Sequence, residues 1–311
     1  MGINVLSLFD GMSCGQIALE RLGVEVNNYF ASEIDKYTIK VTQHNYPNTI
    51  QIGDVKNIKG NSLPKIDLLI GGTPCQGFSF AGKQLNFEDP RSKLFFEFVR
   101  LLNETKPKYF LLENVKMKKE YQDVISRYLG VEPVEINSNL VSAQNRNRLY
   151  WTNIPDVSQP YNKKIYIDSI LETSVHKRFY IEQNEDVQKE IERGKCSACF
   201  TERRTEEAKR IRREYRKKFG IDFSPRRAKE MVCRTDKKVN CLTATFSTKE
   251  HVILDKAGEY RKLTPEEWER LQTIPVGFTN VDGIGLSQRY KMLGNGWTVD
   301  IIAHILKDMV L

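Results

Sequence analysis

The segment GGTPCQGFSF, residues 71–80, places a cysteine directly behind an apolar run. That run, KIDLLI, reads as a buried strand, and Gly71 and Gly72 at its end permit a sharp turn or a close backbone approach. Pro74 then fixes the backbone angle φ immediately before Cys75. A thiol presented at the end of a strand could act as a nucleophile, and the alternative is an unreactive cysteine in a turn. The segment alone leaves both interpretations open.

Two acidic residues follow other strand-like runs in the first sixty residues. Glu33 lies 22 residues after Gly11, close to the spacing of the acid that binds ribose hydroxyls in dinucleotide-binding folds. Asp54 follows a third unit, in IGDV. The segment FDGMSCG lacks the G-x-G-x-x-G pattern of a pyrophosphate site, so the acids favour an adenosine-containing ligand without phosphates, such as S-adenosylmethionine. Each acid could instead cap a helix.

Six cysteines in 311 residues, without a secretion signal, indicate reduced thiols in a cytosol rather than a disulfide framework. Cys196 and Cys199 form a C-x-x-C pair, and Cys233 and Cys241 lie further along. Four thiolates could hold zinc, but the wide spacing of the second pair is unusual for such a site. We expect no metal, and a zinc site stays the open alternative.

The basic charge of the chain is concentrated in one segment. The formal net charge is +8, and residues 201–238 contain 15 Lys and Arg against 7 Asp and Glu, which accounts for the whole excess. Such a stretch fits a polyanionic partner, most commonly nucleic acid, and the alternative is a solvated helix of mixed charge. No run approaches 18 consecutive apolar residues, so no membrane span is predicted.

Strand-like and helix-like segments alternate in the first half of the chain, which predicts an α/β fold with a doubly wound, mainly parallel sheet. Apolar residues at helical spacing predict a helix over 92–107, and Thr264 followed by Pro265 predicts a helix start. After about residue 156 this alternation of strand-like and helix-like segments ends. We expect polar, irregular chain there with one helix near 203–218, and then a strongly apolar helix that ends the chain and closes on the first domain.

Eight segments resemble, in the family's order, the motifs of the cytosine-C5 DNA methyltransferases: FDGMSCG, SEID, GDV, GGTPCQGFSFAGKQ, ENV, QNRNR, RKLTPEEWERLQTIP and GNGWTV. The first and last resemble the eukaryotic de novo enzymes, whereas PCQGFS and QNRNR are bacterial in style, which suggests a bacterial or phage enzyme. The resemblance implies a Rossmann-like, S-adenosylmethionine-dependent fold with a smaller basic target-recognition domain. The expected division is 1–155 for catalysis and cofactor binding, 156–280 for target recognition and 281–311 for a segment completing the catalytic domain.

The resemblance also implies a role for individual residues. Cys75 looks like the nucleophile that adds to C6 of a flipped-out cytosine, Glu113 like the acid that protonates or hydrogen-bonds N3, and two arginines like organisers of the site, Arg146 and Arg148. Cofactor contacts are expected at Phe9, Asp10, Gly11, Glu33, Ile34, Asp54, Val55, Pro74, Asn295 and Trp297. DNA contacts are expected in the loop after the cysteine and in the basic segment, at Gln76, Ser79, Arg91, Arg203, Arg204, Arg212, Arg213, Arg226 and Arg227.

The implied partner is double-stranded DNA, the implied product S-adenosylhomocysteine, and the expected state a cytoplasmic monomer. A cognate restriction endonuclease, where one exists, is expected to act separately. An RNA cytosine-5 methyltransferase is the nearest rival, but it typically carries a different cysteine loop and no long basic insert. A catalytically dead nucleic-acid-binding protein predicts a damaged set of site residues. A nicotinamide-dependent oxidoreductase predicts the G-x-G-x-x-G pattern that the chain lacks.

Overall fold

The structure is a computed structural model, and it describes residues 2–73, 93–182, 185–192, 199–221, 223, 229–244, 251–255 and 258–310. Several residues that the sequence singles out lie outside these ranges, namely Pro74, Cys75, Gln76, Ser79, Arg91, Cys196, Arg226 and Arg227. For Cys199 and Arg203 the structure describes the backbone alone.

Within the described ranges, seven strands form the main sheet: β1 (Ile3–Leu8), β2 (Val26–Ser32), β3 (Ile50–Gln51), β4 (Leu68–Gly72), β5 (Tyr109–Val115), β6 (Val134–Asn137) and β7 (Asn147–Thr152). Their spatial order is β3-β2-β1-β4-β5-β7-β6. The first five strands pair in parallel, and β7 runs antiparallel to both β5 and β6. The predicted doubly wound, mainly parallel sheet is confirmed, with an antiparallel pair that the alternation did not indicate.

Helices cover both faces of this sheet. In chain order, the helices of the described residues are α1 (Cys14–Arg21), α2 (Lys36–Asn45), α3 (Lys93–Thr105), α4 (Lys119–Leu129), α5 (Glu185–Glu192), α6 (Glu206–Phe219), α7 (Pro265–Leu271), α8 (Leu286–Asn295) and α9 (Val299–Leu306). Of these, α5 and α6 belong to the basic segment after residue 156 and not to this sheet. Successive strand residues face opposite sides, so Val5 packs in the cluster with α1 and α9, while Leu6 packs in the cluster with α3 and α4. The helix predicted over 92–107 is confirmed as α3.

The segment expected to be irregular contains a second sheet, so that prediction was wrong. Its four strands, β8 (Cys199–Arg204), β9 (Lys229–Cys233), β10 (Val252–Leu254) and β11 (Tyr260–Lys262), pair antiparallel in the order β11-β10-β8-β9. A small core of Phe200, Met231, Val252 and Tyr260 holds it. Two helices lie in this segment, α5 and α6, where one was predicted. Helix α6 begins after Arg203 and Arg204, which lie in β8, because Thr205 caps its first turn.

The C-terminal segment forms two helices rather than the one predicted. Helix α8 ends at Asn295 and α9 begins at Val299, and between them Gly296 is extended. The carbonyl oxygen of Gly296 accepts hydrogen bonds from the side chains of Arg146 and Gln272, at 2.8 and 3.1 Å, so it serves the site instead of continuing a helix. Helix α9 packs on α1, which confirms the predicted closure on the first domain.

The predicted helix start at Thr264 is confirmed by a reciprocal capping box. Thr264 Oγ1 accepts from the backbone N–H of Glu267 at 3.1 Å, and Glu267 Oε2 accepts from the backbone N–H of Thr264 at 2.8 Å. The same carboxylate binds the fully buried guanidinium of Arg261. In the part of the chain that the structure describes, no helix has the length and apolar character needed to cross a bilayer.

A buried histidine joins the second sheet to α7. His251 precedes β10, is 5% exposed and packs edge-on against Trp268, with ring centroids 5.5 Å apart. Neither of its ring nitrogens has a hydrogen-bond partner among the described residues. Burial, reinforced by the positive charge of Arg234, lowers the pKa of His251 to about 4.

We therefore expect the contribution of His251 to destabilise the folded protein progressively as the pH falls from about 6.5 towards 4. The unfolded chain protonates His251 near the ordinary imidazole pKa, whereas the folded chain resists protonation down to about 4, so acid favours unfolding. Between pH 7 and pH 5 this linkage amounts to about 2 kcal/mol. Urea unfolding at both pH values should show a smaller acid loss for His251→Phe than for the wild type, and equal losses would contradict the assignment.

Candidate active site

Three of the residues expected to bind the cofactor follow strands of the main sheet at its carboxyl edge. Phe9 follows β1, Glu33 follows β2, and Asp54 follows β3. The carboxyl edge of a doubly wound sheet, beside the point where strand order reverses, is where such folds bind ligands. The spatial order β3-β2-β1-β4 therefore places these three strand ends side by side, as the sequence predicts.

Glu33 is held by the backbone rather than by cations. Its Oε2 accepts from the N–H of Gly11 at 2.8 Å, and its Oε1 accepts from the N–H groups of Ile34 and Asp35 at 2.7 and 2.8 Å. A carboxylate accepts about four hydrogen bonds, so capacity for a further donor is left. Gly11 has φ +60 and open space around its Cα, and the Ile34 side chain is 75% exposed.

Asp10 and its neighbours build the loop beneath this edge. Asp10 accepts hydrogen bonds from the hydroxyl groups of Ser13 and Tyr29, the latter at 2.8 Å. Burial raises the pKa of Asp10 to about 6 even though these hydrogen bonds oppose the shift. Phe9 and Ser13 both have positive φ, near 60°. Asp10 therefore supports the loop from below, whereas Glu33 lies at its surface.

Asp54 has a structural role in addition to its place at the edge. Its Oδ1 accepts from the backbone N–H of Lys56 at 3.0 Å and so caps a short 3₁₀ turn that starts at Val55. Asp54 therefore does act as a cap, the alternative role considered for it. Val55, the first residue of the turn, is buried. A cap uses one oxygen of the carboxylate, which is compatible with a second role.

An ion pair lies at the end of β5. Arg148 Nε is 2.8 Å from Glu113 Oε1, and the two side chains are only 13% and 11% exposed. Trp297 Nε1 donates to the other oxygen, Glu113 Oε2, at 3.3 Å. The structure thus brings together Glu113, Arg148 and Trp297, which the sequence had assigned to catalysis and to cofactor binding. The contact with the indole, from a residue 184 positions away, had no local sequence signal.

The two glycines of GGTPC are required by what packs against them. A Cβ on Gly72 would lie 2.9 Å from Trp297 Nε1 and 3.1 Å from Glu113 Oε2. A Cβ on Gly71 would lie 3.1 Å from both the Leu8 carbonyl oxygen and the Phe98 ring. Both glycines are thus closely packed against protein atoms, one on each face of the sheet, while the sharp turn or close approach to a ligand predicted for them stays a prediction.

The last described residue before the cysteine loop is anchored to β5. Asn114 Nδ2 donates to Thr73 Oγ1 at 2.9 Å, and both side chains are buried. Cys75 follows Thr73 by two positions in the sequence but lies outside the described residues. The anchor holds Thr73 against β5, next to Glu113.

Arg146 is a buried connector between three parts of the chain. It is 3% exposed, and its guanidinium donates to the carbonyl oxygens of Leu242, Gly294 and Gly296 at 3.1, 3.3 and 2.8 Å. It therefore joins the start of β7 to the second-sheet segment and to the end of α8. Asn295 lies between the two glycines, so the structure places this motif against the arginine.

The expected DNA contacts that the structure describes lie together on the basic segment. Arg204 ends β8, and Arg212 and Arg213 lie on α6, where Arg213 is exposed. Helix α6 carries seven Lys and Arg against three Glu. Some of these cations are paired along the helix: Lys209 with Glu206, and Arg210 with Glu207 and Glu214.

Sequence reasoning missed one side chain at this site. Cys241, considered as a zinc ligand, lies with its sulfur 3.3 Å from Arg146 Nη1 and 3.5 Å from Arg148 Nη2. Among the described residues no cluster of metal-ligating side chains is present. The cysteine lies 93 and 95 positions from its two partners, so no local pattern could have paired them.

Comparison with known proteins gives matches over the whole chain. The family model for C-5 cytosine-specific DNA methylase matches residues 3–129 and 131–311. The type II methyltransferase M1.ScrFI of Lactococcus lactis subsp. cremoris is 31% identical over 330 aligned positions, which cover 99% of this chain and 78% of that protein. The orphan methyltransferase M.Rho11sI of Bacillus phage rho11s is 47% identical over 116 residues, 37% of this chain and 23% of that protein.

A solved structure shares the fold. The crystal structure of a mutant of Spodoptera frugiperda DNMT2 superposes with a TM-score of 0.68 at 18% identity, covering 99% of both chains. At that identity the likeness concerns the architecture alone, a mainly parallel sheet flanked by helices.

Proposed function

The chain belongs to the C-5 cytosine-specific DNA methylase family, and from this premise we propose how its residues divide the reaction. It is a DNA cytosine-5-methyltransferase, which transfers a methyl group to C5 of cytosine. The observation that carries the proposed division is the Glu113–Arg148 ion pair beside Trp297, at the strand end from which the cysteine loop departs.

The acidic edge fits S-adenosylmethionine. The free acceptor capacity of Glu33 suits ribose hydroxyls, the open surface over Gly11 allows close backbone approach, and exposed Ile34 offers an apolar face for adenine. Glu33, Asp54 and Asp10 give this edge a negative charge, which would repel phosphate groups and favour a sulfonium cation. When bound, the cofactor supplies an electrophilic methyl group. Phe9, Val55, Pro74, Asn295 and Trp297 complete the proposed cofactor set.

The protein side chains activate the base. C5 of cytosine is a weak nucleophile, and addition of the Cys75 thiolate to C6 converts C5 into an enamine-like carbon. Glu113 in its carboxylic-acid form donates a proton or hydrogen bond to N3, which stabilises the adduct, and Arg148, 2.8 Å away, holds the group and pairs with the carboxylate that proton transfer leaves. After transfer, loss of the C5 proton reforms the C5–C6 double bond and releases Cys75. The base is inaccessible in a duplex, so it is flipped out.

Double-stranded DNA is the proposed partner, bound by the loop after Cys75 and by the target-recognition domain, 156–280, that contains the second sheet. Helix α6 supports this assignment. Besides the two cations that pair with its three Glu residues, it carries the exposed side chains of Arg213, Arg216 and Lys217. Such side chains bind phosphates, while base edges are read in a groove. We also propose that the enzyme acts as a monomer in the cytosol, separately from any restriction endonuclease.

We expect the triple variant R212Q/R213Q/R216Q to flatten the salt dependence of DNA binding. Removal of one phosphate contact reduces the slope of log K against log salt by about 0.9, so the magnitude should fall by up to about three. The measurement is the dissociation constant for a duplex at several salt concentrations. The matched control is K65Q/K106Q/K108Q, which removes the same charge before β4 and β5. If both triples change the slope equally, α6 has no special role.

The proposed function is tested by methyl transfer from labelled S-adenosylmethionine to unmethylated duplex DNA and, in parallel, to tRNA. The expected product is 5-methyldeoxycytidine in the DNA, identified by mass, and sequencing of that DNA then gives the target site. Label confined to tRNA would show that RNA and not DNA is the substrate, while the proposed chemistry of the site would stand. Cofactor binding without label in either would indicate a nucleic-acid-binding protein without activity.

A further inference from the structure

The Cys241 sulfur lies between the two guanidinium groups of the active site, 3.3 Å from Arg146 Nη1 and 3.5 Å from Arg148 Nη2. The backbone explains its position. The segment between β9 and β10 runs beside the QNRNR motif, where Val239 forms a bridge with Gln144 and the N–H of Leu242 donates to Gln144 Oε1 at 2.9 Å. Cys241 is thereby fixed next to the two arginines by main-chain contacts on either side.

Two buried guanidinium groups close to one sulfur need a compensating negative charge. Arg148 has the Glu113 carboxylate. Among the described residues, every other hydrogen bond of the Arg146 side chain ends on a neutral carbonyl oxygen, so the Cys241 sulfur is the partner able to carry a charge. A thiolate is an acceptor that each arginine can approach from its own side.

The pKa values of half-buried Cys241 and buried Cys14 shift in opposite directions. Burial acts to raise the pKa of Cys241, but Arg146 and Arg148 outweigh it, and the pKa lies below its usual value. Cys14, at the start of α1, has its pKa raised by burial to about 12. The described titratable groups that interact with Cys241 are Arg146, Arg148 and Tyr150, and Glu113 on β5 acts in turn on Arg148 and Tyr150.

We propose that Cys241 is a positioning residue for methyl transfer, whose thiolate binds Arg146 and Arg148 together and so orients the guanidinium that holds Glu113. This inference rests on the proposed function of Glu113. Arg148 uses Nε for the carboxylate and Nη2 for the sulfur, so the two contacts fix both ends of a rigid, planar group. Nη1 donates to the Asn147 carbonyl oxygen at 2.9 Å, so loss of the sulfur leaves the guanidinium two contacts and removes the one that orients Nη2.

The kinetic test uses three substitutions of Cys241. We expect Cys241→Ala and Cys241→Ser to lower kcat by roughly 10- to 100-fold, since small misplacement of a reacting group has effects of this size. The KM for DNA and the Kd for S-adenosylmethionine should stay within about twofold. Cys241→Asp restores a negative charge and should recover kcat above both. Wild-type kcat in Cys241→Ser, or an Asp variant no better than Ala, would overturn the proposal.

A chemical test measures the ionisation of the Cys241 thiol without any methyl transfer. In a Cys75→Ala chain, the rate of iodoacetamide alkylation at Cys241, followed by peptide mass, should have a midpoint below the ordinary thiol value of about 8.5. Arg148→Met should raise that midpoint, with thermal unfolding confirming that the variant is folded. Cys14 serves as the unreactive reference. An ordinary midpoint that Arg148→Met does not move overturns the proposal even if the enzyme methylates DNA normally.

Discussion

Cys75→Ala is expected to reduce methyl transfer to background while leaving the Kd for S-adenosylmethionine within about twofold. Without the thiolate no bond forms at C6, and C5 stays too weakly nucleophilic to attack a methyl group. Most of the cofactor contacts proposed above come from the ends of β1, β2 and β3, and none of them uses the sulfur. Transfer of labelled methyl groups to duplex DNA, with cofactor binding measured by calorimetry, separates the two effects.

The covalent step can be observed directly with a duplex that carries 5-fluorocytosine at the target position. Fluorine replaces the proton that must leave C5, so the bond between sulfur and C6 cannot break after methylation. The wild type should form a complex that survives denaturation, and Cys75→Ala should form none. Cys233→Ala, on β9, is the matched control and should behave as the wild type does. Residual transfer above a few per cent in Cys75→Ala would remove this cysteine from the mechanism.

Glu113→Gln is expected to lower kcat by about 10²- to 10⁴-fold, the range for loss of a general acid. Glutamine fills the same space and still contacts Trp297, but it cannot pass a proton to N3 and no longer pairs with Arg148 as an anion. The binding of DNA and of the cofactor should change far less than kcat. Single-turnover methylation isolates the chemical step from product release.

Glu135→Gln is the control for that variant. Glu135 lies on β6 in the same sheet and forms an ion pair of its own with Lys116 at 2.7 Å, but it is partly exposed and outside the site. Its substitution should leave kcat within about twofold. If Glu113→Gln lowers kcat no more than Glu135→Gln does, proton donation must come from another group.

Local patterns predicted the parts of the fold that local forces determine. The apolar spacing of α3 and the alternation of the early strands reflect burial on one helix face or on both sheet faces, and the cap at Thr264 involves residues three apart. The strand-end positions of Glu33 and Asp54 follow from the same alternation. These features were therefore readable from the sequence.

The remaining features depend on contacts between distant residues. The strands of the second sheet are short, and in β8 and β9 few apolar residues stand among charged ones. Their sequences therefore show neither the alternation of a strand nor the 3.6-residue spacing of a helix. The break between α8 and α9 is determined by Arg146, 150 positions earlier, which binds the Gly296 carbonyl oxygen. The contacts of Glu113 with Trp297 and of Cys241 with the arginines are likewise tertiary.

The dependence of Arg146 and Glu113 on Gly294, Gly296 and Trp297 has a consequence for synthesis of the enzyme. At about 5–20 residues per second, a ribosome needs roughly 10 to 40 s to add the 184 residues from Glu113 to Trp297. During that interval the nascent chain has the strand that bears Glu113 but not the indole that contacts it. Methyl transfer therefore begins only with chains whose translation has passed Trp297.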